Sequence, residues 1–213
     1  MQKSTDKDAI VARINGDILT IINLADDIGW KPIHEQSISR ILYLASVLYA
    51  FRHTEGQNPF SDDYHFSIDA TGPFYYLINN SLAYLESNDF IIRENKNKIT
   101  IGDNKLKELN ILPDYDSKKI WLGILFYILG IYGESRIYEF IIRDPEYIEH
   151  LQTNKLKELN TNRYNKTVTF LNEFKKTFEE TLGQKANQID DKEYLELYFE
   201  YVFGKVLKGE IEL

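Results

Sequence analysis

The sequence contains no cysteine, and its 213 residues include only one methionine, five prolines and eleven glycines. Without cysteine the chain has no disulfide, no thiolate nucleophile and no cysteine-ligated zinc. The glycines are scattered, and they form no phosphate-binding loop, no dinucleotide fingerprint and no nucleophile elbow. We therefore expect a protein that is not an enzyme and that carries no cofactor.

Long apolar runs are also missing. The most apolar stretch, Ile120 to Tyr132, is shorter than the roughly 20 residues that a membrane-spanning helix needs. The first ten residues are polar and charged, without the apolar segment of a signal peptide. We therefore expect a cytoplasmic protein that does not enter a membrane, and we predict that the apolar stretch forms a buried helix.

Positive charge is in deficit, because 33 acidic residues face 25 basic ones and give a formal net charge of −8. An acidic chain is not steered towards nucleic acid by its overall field. The four histidines stand apart from one another, and none has a second ligand at metal-binding spacing. We therefore expect no metal at His34, His53, His65 or His150.

Helical periodicity is the dominant pattern in what remains. Apolar residues recur at intervals of three and four over residues 10–28, 37–51, 116–131, 164–182 and 190–207. Two short β-prone runs, residues 90–93 and 98–101, flank a polar turn that contains two asparagines, and this pattern predicts a β-hairpin. Gly72-Pro73 predicts the start of the helix before that hairpin.

Helices followed by a hairpin suggest a winged helix. We predict a mainly α protein in two parts. Residues 1–113 form a winged-helix-like domain with one β-hairpin, and residues 114–213 form a helical domain that ends in an amphipathic pair of helices.

The helix before a DNA-binding wing enters the major groove with lysine or arginine. Residues 53–92 contain neither, and the same stretch holds six carboxylates. A phosphate backbone would repel this segment. The hairpin itself is basic, through Arg93, Lys96 and Lys98, so a contact of the wing alone with DNA stays open beside an ordinary solvated hairpin.

Aromatic residues are abundant, with 15 tyrosines and 12 phenylalanines. Tyrosine is enriched at protein interfaces, and two dense clusters are candidate docking surfaces. The alternative is that their rings belong to the core. The candidates are Phe74, Tyr75, Tyr76 and Tyr84 in the first cluster, and Tyr194, Tyr198, Phe199 and Tyr201 in the second.

Residues 41–49, with the sequence ILYLASVLY, precede a polar loop, Tyr64 and Gly72-Pro73-Phe74. This order resembles the SocA-type (Panacea) domain over roughly residues 37–95. Ser46 stands where that family has aspartate, and Ala70-Thr71 stand where a tyrosine is expected. The motif carries no catalytic residue.

The layout is also similar to that of the middle components of three-component systems built around an ABC/SMC-like ATPase, including Lamassu-type antiphage defence. This resemblance implies a non-catalytic accessory subunit that bridges an SMC-like coiled-coil ATPase and an effector in a bacterial antiviral complex. Two alternatives stay open. One is a SocA-type antitoxin or proteolytic adaptor, and the other is a winged-helix transcription regulator that uses Arg93, Lys96 and Lys98.

Overall fold

A computed structural model of the chain describes residues 2–95, 97–104, 109–153, 158–183 and 189–208. Within these residues the protein is mainly helical, with a small antiparallel sheet and a separate two-stranded hairpin. The helices are α1 (Gln2–Asp27), α2 (Glu35–Arg52), α3 (Tyr76–Ser87), α4 (Tyr115–Tyr132), α5 (Ile137–Ile141), α6 (Pro145–Thr153), α7 (Lys166–Leu182) and α8 (Asp191–Lys208). The strands are β1 (Ile33–His34), β2 (Ser67–Asp69), β3 (Gly72–Phe74), β4 (Ile91–Glu94) and β5 (Lys98–Ile101). Short 3₁₀ turns cover Leu109–Ile111 and Glu134–Arg136.

Helix α2 is the centre of the molecule. Every residue from Ile41 to Phe51 is buried, and α2 contacts α1, α4, α5, α7 and α8. A helix that is apolar on all sides is stable only where neighbours cover it all round. Helix α1 supplies part of that core through Ile14, Ile18 and Ile21, each fully buried at helical spacing. The helical periodicity over residues 10–28 is thus confirmed.

The predicted hairpin is confirmed as β4 and β5, which pair antiparallel with Ile91 opposite Ile101. Strand β1, from before α2, joins the free edge of β5 through Ile33 and Ile99 and gives the strand order β1-β5-β4. Asn95 has a φ of 45° in the connecting turn, a conformation that asparagine tolerates better than most residues. The hairpin is therefore anchored to the helical core by a third strand.

The prediction that a helix starts at Gly72-Pro73 is wrong. Gly72 and Pro73 lie in β3, which pairs with β2 through Ile68 opposite Pro73, and α3 begins only at Tyr76. Gly72 has a φ of +128°, which side-chain-bearing residues rarely adopt. The fixed φ of proline suits a first helical turn and an extended strand equally, so the dipeptide alone does not separate the two.

Helix α4 links the two halves of the chain. Trp121 is fully buried, and its indole nitrogen donates a hydrogen bond of 2.9 Å to the carbonyl of Ala45 in the middle of α2. One cluster of buried apolar side chains extends from Ile14 in α1 to Val202 in α8. The division into domains 1–113 and 114–213 stays a prediction.

Helices α7 and α8 close the fold, and their bounds lie within two residues of the predicted ones. Asn165 caps α7, because its side-chain oxygen accepts a hydrogen bond of 2.8 Å from the amide of Val168. Its amide nitrogen donates to the carbonyl of Val47, 2.9 Å away. One side chain therefore starts α7 and fastens it to the central helix.

Candidate protein-binding surfaces

Helix α3 presents an uncharged aromatic row to solvent. Its inner side buries Ile78, Leu82 and Leu85 in the core. On the outer side Tyr76 is 54% exposed and Tyr84 is 49% exposed. The spacing of four residues places Asn80 between them, so the three side chains form one row. We call Tyr76, Asn80 and Tyr84 the α3 face.

The structure divides the first predicted aromatic cluster. Tyr76 and Tyr84 are exposed, Phe74 is half-buried, and Tyr75 is buried. The Tyr75 ring lies edge-on to Tyr64 and Phe66, with 6.2 Å between ring centres in both pairs, and burial raises its pKa to about 12. Tyr75 is a core residue. Contrary to the prediction, its ring is therefore not available to a partner in the folded protein.

Most of the second predicted cluster is also internal. Tyr194 and Phe199 are fully buried and Tyr198 nearly so, while Tyr201 is 40% exposed. The Phe199 ring packs 4.7 Å from Phe140 in α5. These three buried rings hold α8 onto the core. Contrary to the prediction, Tyr194, Tyr198 and Phe199 are therefore not available to a partner in the folded protein. The i, i+4 spacing of Tyr194 and Tyr198 on an amphipathic helix was the signal for their burial, and Phe199 does not share it.

Tyr201 borders an apolar groove between α6, α7 and α8. The groove has a volume of about 460 Å³. Tyr198 contributes to its wall, and Arg143 and Glu149 supply charge there. Of the second cluster, Tyr201 is the member placed to contact another molecule.

The basic hairpin offers little free positive charge in the described residues. Arg93 forms ion pairs with Glu35 and with Glu86, and its Nε lies 3.0 Å from the Glu86 carboxylate. Burial opposes the charged guanidinium, but these two carboxylates raise the pKa of Arg93. Lys98 is half-buried, and Lys96 lies outside the described residues. Arg93 thus ties β4 to α2 and α3, and a phosphate would have to compete with two carboxylates for it.

Sequence reasoning missed an apolar stripe on α4. Ile120 and Ile131 are each 66% exposed and Tyr127 is 58% exposed, while Ile124 is partly buried between them. We call Ile120, Ile124, Tyr127 and Ile131 the α4 stripe. The prediction that this stretch is a buried helix is wrong for this side, because α1 and α2 cover the opposite one. Helix α8 also contacts α4, and its Lys192 ammonium lies 4.0 Å from the centre of the Tyr127 ring. The alternating spacing of four and three residues was the available signal.

A buried ionic cluster joins α1, α4 and the loop before β2. The Lys118 ammonium lies 2.9 Å from Asp17 and 2.6 Å from Asp63, and Arg13 pairs with Asp63 at 2.7 Å. Burial opposes the charge of Lys118, but the two carboxylates raise its pKa. Two cations offset two anions, so the cluster is a structural bridge with no charge left over for a substrate.

A separate buried carboxylate, Asp144, joins three elements. It accepts hydrogen bonds from the Tyr43 and Thr167 hydroxyls, each at 2.5 Å, and from the amide of Tyr147 at 3.0 Å. Burial raises the pKa of Asp144 to about 6, although all three hydrogen bonds oppose the rise. Asp144 therefore fastens α2, α6 and α7 together, and its raised pKa brings its protonation change to about pH 6.

Groups of three or more histidine, aspartate or glutamate side chains that could hold a metal do not occur in the described residues. Within the same residues no single helix is both long and apolar enough to cross a membrane, although α4 and Glu134–Ile141 meet that test jointly as a pair bent by 96°. Comparison with protein families, with curated proteins and with solved structures finds no match for this chain.

Proposed function

We propose that this chain is a non-catalytic, protein-binding accessory subunit that bridges an SMC-like ATPase and an effector in a bacterial antiviral defence complex. The α3 face carries the protein-binding part of the proposal. Two half-exposed tyrosines and an asparagine form a row without lysine or arginine. Tyrosine offers a large contact area and a hydroxyl for hydrogen bonding, which suits a protein partner.

The N-terminal part is proposed to be winged-helix-like. Helices α1, α2 and α3 precede the β4–β5 hairpin, and β1 completes a three-stranded sheet at its base. In a DNA-binding protein of this kind, α3 would enter the major groove. Its outer side instead exposes Tyr76, Asn79, Asn80, Ala83, Tyr84 and Ser87.

Electrostatics favours a protein over DNA at this surface. Glu86 and Asp89 follow the α3 face, and Arg93 of the hairpin is held between Glu35 and Glu86. Non-specific DNA affinity comes largely from neutralising phosphates with free lysine and arginine. A winged-helix scaffold with this surface is therefore better suited to docking on another protein.

The test is affinity purification of the tagged chain from its native host, with the double variant Tyr76→Asp/Tyr84→Asp beside the native sequence. We expect the native chain to bring down a coiled-coil ATPase and an effector, and the double variant to lose one of them. The carboxylates place unpaired charge where the partner buries tyrosine rings. Tyr164→Asp is the matched control, because Tyr164 is 83% exposed and lies in the turn before α7, outside the α3 face.

Each alternative function has its own outcome. Recovery of a single small protein would favour the SocA-type antitoxin or adaptor. Salt-sensitive DNA binding that weakens when Arg93, Lys96 and Lys98 are neutralised would favour the transcription regulator. Recovery of the full complex by the double variant would show that the α3 face is not the docking surface.

A further inference from the structure

The α4 stripe is a straight apolar edge on an otherwise polar surface. Its residues follow one another at intervals of four, three and four, which is the spacing of the core positions of a heptad repeat. From Ile120 to Ile131 the stripe extends over about 16 Å, or three helical turns. Ile28, at the end of α1, is 38% exposed and continues the apolar surface beside Gly130.

Two glycines border the stripe one heptad apart. A side chain built on Gly123 would meet nothing within 4 Å, and one on Gly130 would meet only the end of Ile28. Glycine in a helix interior is unfavourable compared with alanine, and no packing within the described chain calls for it at Gly123. The missing side chains leave a shallow notch along one edge of the stripe, where another backbone can approach closely.

Heptad spacing and a flanking notch together fit a helix. Side chains that alternate at three and four residues insert between the corresponding side chains of a second helix that lies nearly parallel or antiparallel to the first. A globular partner needs no such periodicity. The shape of the α4 stripe therefore accommodates a helix of about three turns or more, and the choice of partner rests on the charge around it.

The charge around the stripe specifies the chemistry of that helix. Carboxylates outnumber ammonium groups on the rim. Two pairs, Lys31 with Asp26 at 2.9 Å and Lys192 with Glu196 at 3.4 Å, offset each other, and the remaining groups are three carboxylates and one ammonium. Burial and the nearby Glu200 and Glu196 carboxylates raise the pKa of Tyr132, which places both acids beside the end of α4. The rim groups are Asp26, Asp27 and Lys31 around Ile28, Asp116 and Lys119 on the first turns of α4, and Lys192, Glu196 and Glu200 on α8, where Lys192 lies 4.0 Å from the centre of the Tyr127 ring.

A second copy of this chain would bring the same acidic rim and a formal charge of −8 against the first. A basic helix would meet opposite charge on both sides of an apolar seam. We propose that the α4 stripe is a docking site for a helix of a partner protein, with apolar residues at heptad spacing and basic residues beside them. This site lies on a different helix from the α3 face and stands or falls independently of it.

The probe is a synthetic amphipathic helix of about three heptads, with leucine along one stripe and lysine beside it. Two comparison peptides carry glutamate in place of lysine, or the same residues in scrambled order. Fluorescence anisotropy measures their binding to the native chain at two salt concentrations. We expect the lysine peptide to bind at least about tenfold more tightly than either comparison peptide, and less tightly as salt rises.

The protein variant is Ile120→Ser/Ile131→Ser, which removes apolar surface from the stripe without charge. We expect it to lower the affinity for the lysine peptide at least about tenfold. The matched control is Ile111→Ser, because Ile111 is 71% exposed and lies in the 3₁₀ turn before α4, outside the stripe. The α3 variant Tyr76→Ser/Tyr84→Ser should also bind the peptide normally, which separates this inference from the proposed function.

Three outcomes would overturn the inference. The first is equal binding of the three peptides, or equal binding by the native chain and the Ile120→Ser/Ile131→Ser variant. The second is a dimer in sedimentation that this variant abolishes, which would assign the stripe to a second copy. The third is binding to phosphatidylcholine vesicles that this variant abolishes, which would assign it to a lipid surface.

Discussion

Helices α2 and α4 are both long and apolar, yet the fold treats them differently. Helix α2 is enclosed, with every residue from Ile41 to Phe51 buried under five other helices. Helix α4 is covered on one side, where Trp121 and Leu125 are fully buried, and open on the other, where Ile120 and Ile131 are mostly exposed.

The difference between the two helices teaches what apolar content means. In α2 each apolar side chain is accounted for by a neighbour inside the chain, so its composition follows from folding alone. In α4 the composition of the buried side follows from folding. The α4 stripe is not explained by folding, because its apolar side chains stay in contact with water in the folded chain. The unexplained part of the composition is the part that points to a partner.

The buried side of α4 should be as important for the stability of the fold as α2. The largest expected effect is that of replacing Lys118. Lys118→Ala leaves the buried Asp17 and Asp63 carboxylates without the ammonium that lies between them. Breaking a buried pair from one side costs about 3–5 kcal/mol, because the remaining charge stays desolvated. We expect urea unfolding to show a loss of stability of that size.

Lys119→Ala is the matched control for this prediction, since Lys119 is the next residue on the same helix and is exposed. It should change the free energy of unfolding by less than about 0.5 kcal/mol. Equal effects of the two variants would mean that the cluster around Lys118 does not hold α4 in place.

The enclosure of α2 should depend on pH through the carboxyl group of Asp144. Tyr43 of α2 donates to Asp144, whose pKa is raised by burial from 3.8 to about 6. Between about pH 4 and 6 the folded state holds this proton and the unfolded state does not. The stability from this group is therefore fully present below about pH 4 and falls by about 3 kcal/mol as the pH rises from about 4 to 6.

The measurement is urea unfolding of the native chain and of Asp144→Asn between pH 4 and pH 7.5. Asparagine keeps an acceptor for Tyr43 and for the Tyr147 amide, but it has no proton to lose in this range. The difference in unfolding free energy between the two proteins should change between about pH 4 and 6 and stay constant from there to pH 7.5. Parallel curves would contradict the raised pKa of Asp144.

Most helices and the hairpin were predictable, because they follow from local patterns. The α7 and α8 bounds were predicted to within two residues, and the β4–β5 hairpin follows from two β-prone runs around a polar turn. The pairing of β1 with β5 was not predictable, because it joins Ile33 to a residue 66 positions later and leaves no local signal. The β2–β3 hairpin was missed because Gly72-Pro73 is compatible with both a helix start and a strand.

The candidate surfaces were less predictable than the fold. An aromatic cluster in the sequence does not show which rings face inward. Tyr75 and Tyr76 are adjacent in the sequence, yet Tyr75 is buried and Tyr76 is exposed. The carboxylates that pair with Arg93 come from α2 and α3. The sequence around Arg93 therefore does not show that its charge is already neutralised, because these pairs form only in the tertiary structure. The α4 stripe had a sequence signal in its spacing, but a helix that is apolar all round gives no indication of which side its own chain leaves open.

The last and smallest effect concerns Gly123 beside the stripe. Gly123→Ala should stabilise the isolated chain by about 1 kcal/mol, because alanine is the better helix former and its methyl group would meet no atom within 4 Å. Gly102→Ala is the opposite case, since its methyl group would lie 2.2 Å from the carbonyl oxygen of Asp89, and it should destabilise. Thermal unfolding measures both.

A stabilised Gly123→Ala protein that binds the lysine peptide more weakly would show that glycine at this position lowers folding stability but lets a partner approach α4 closely. A stabilised protein with unchanged binding would leave the notch without a role and narrow the docking site to the apolar stripe itself.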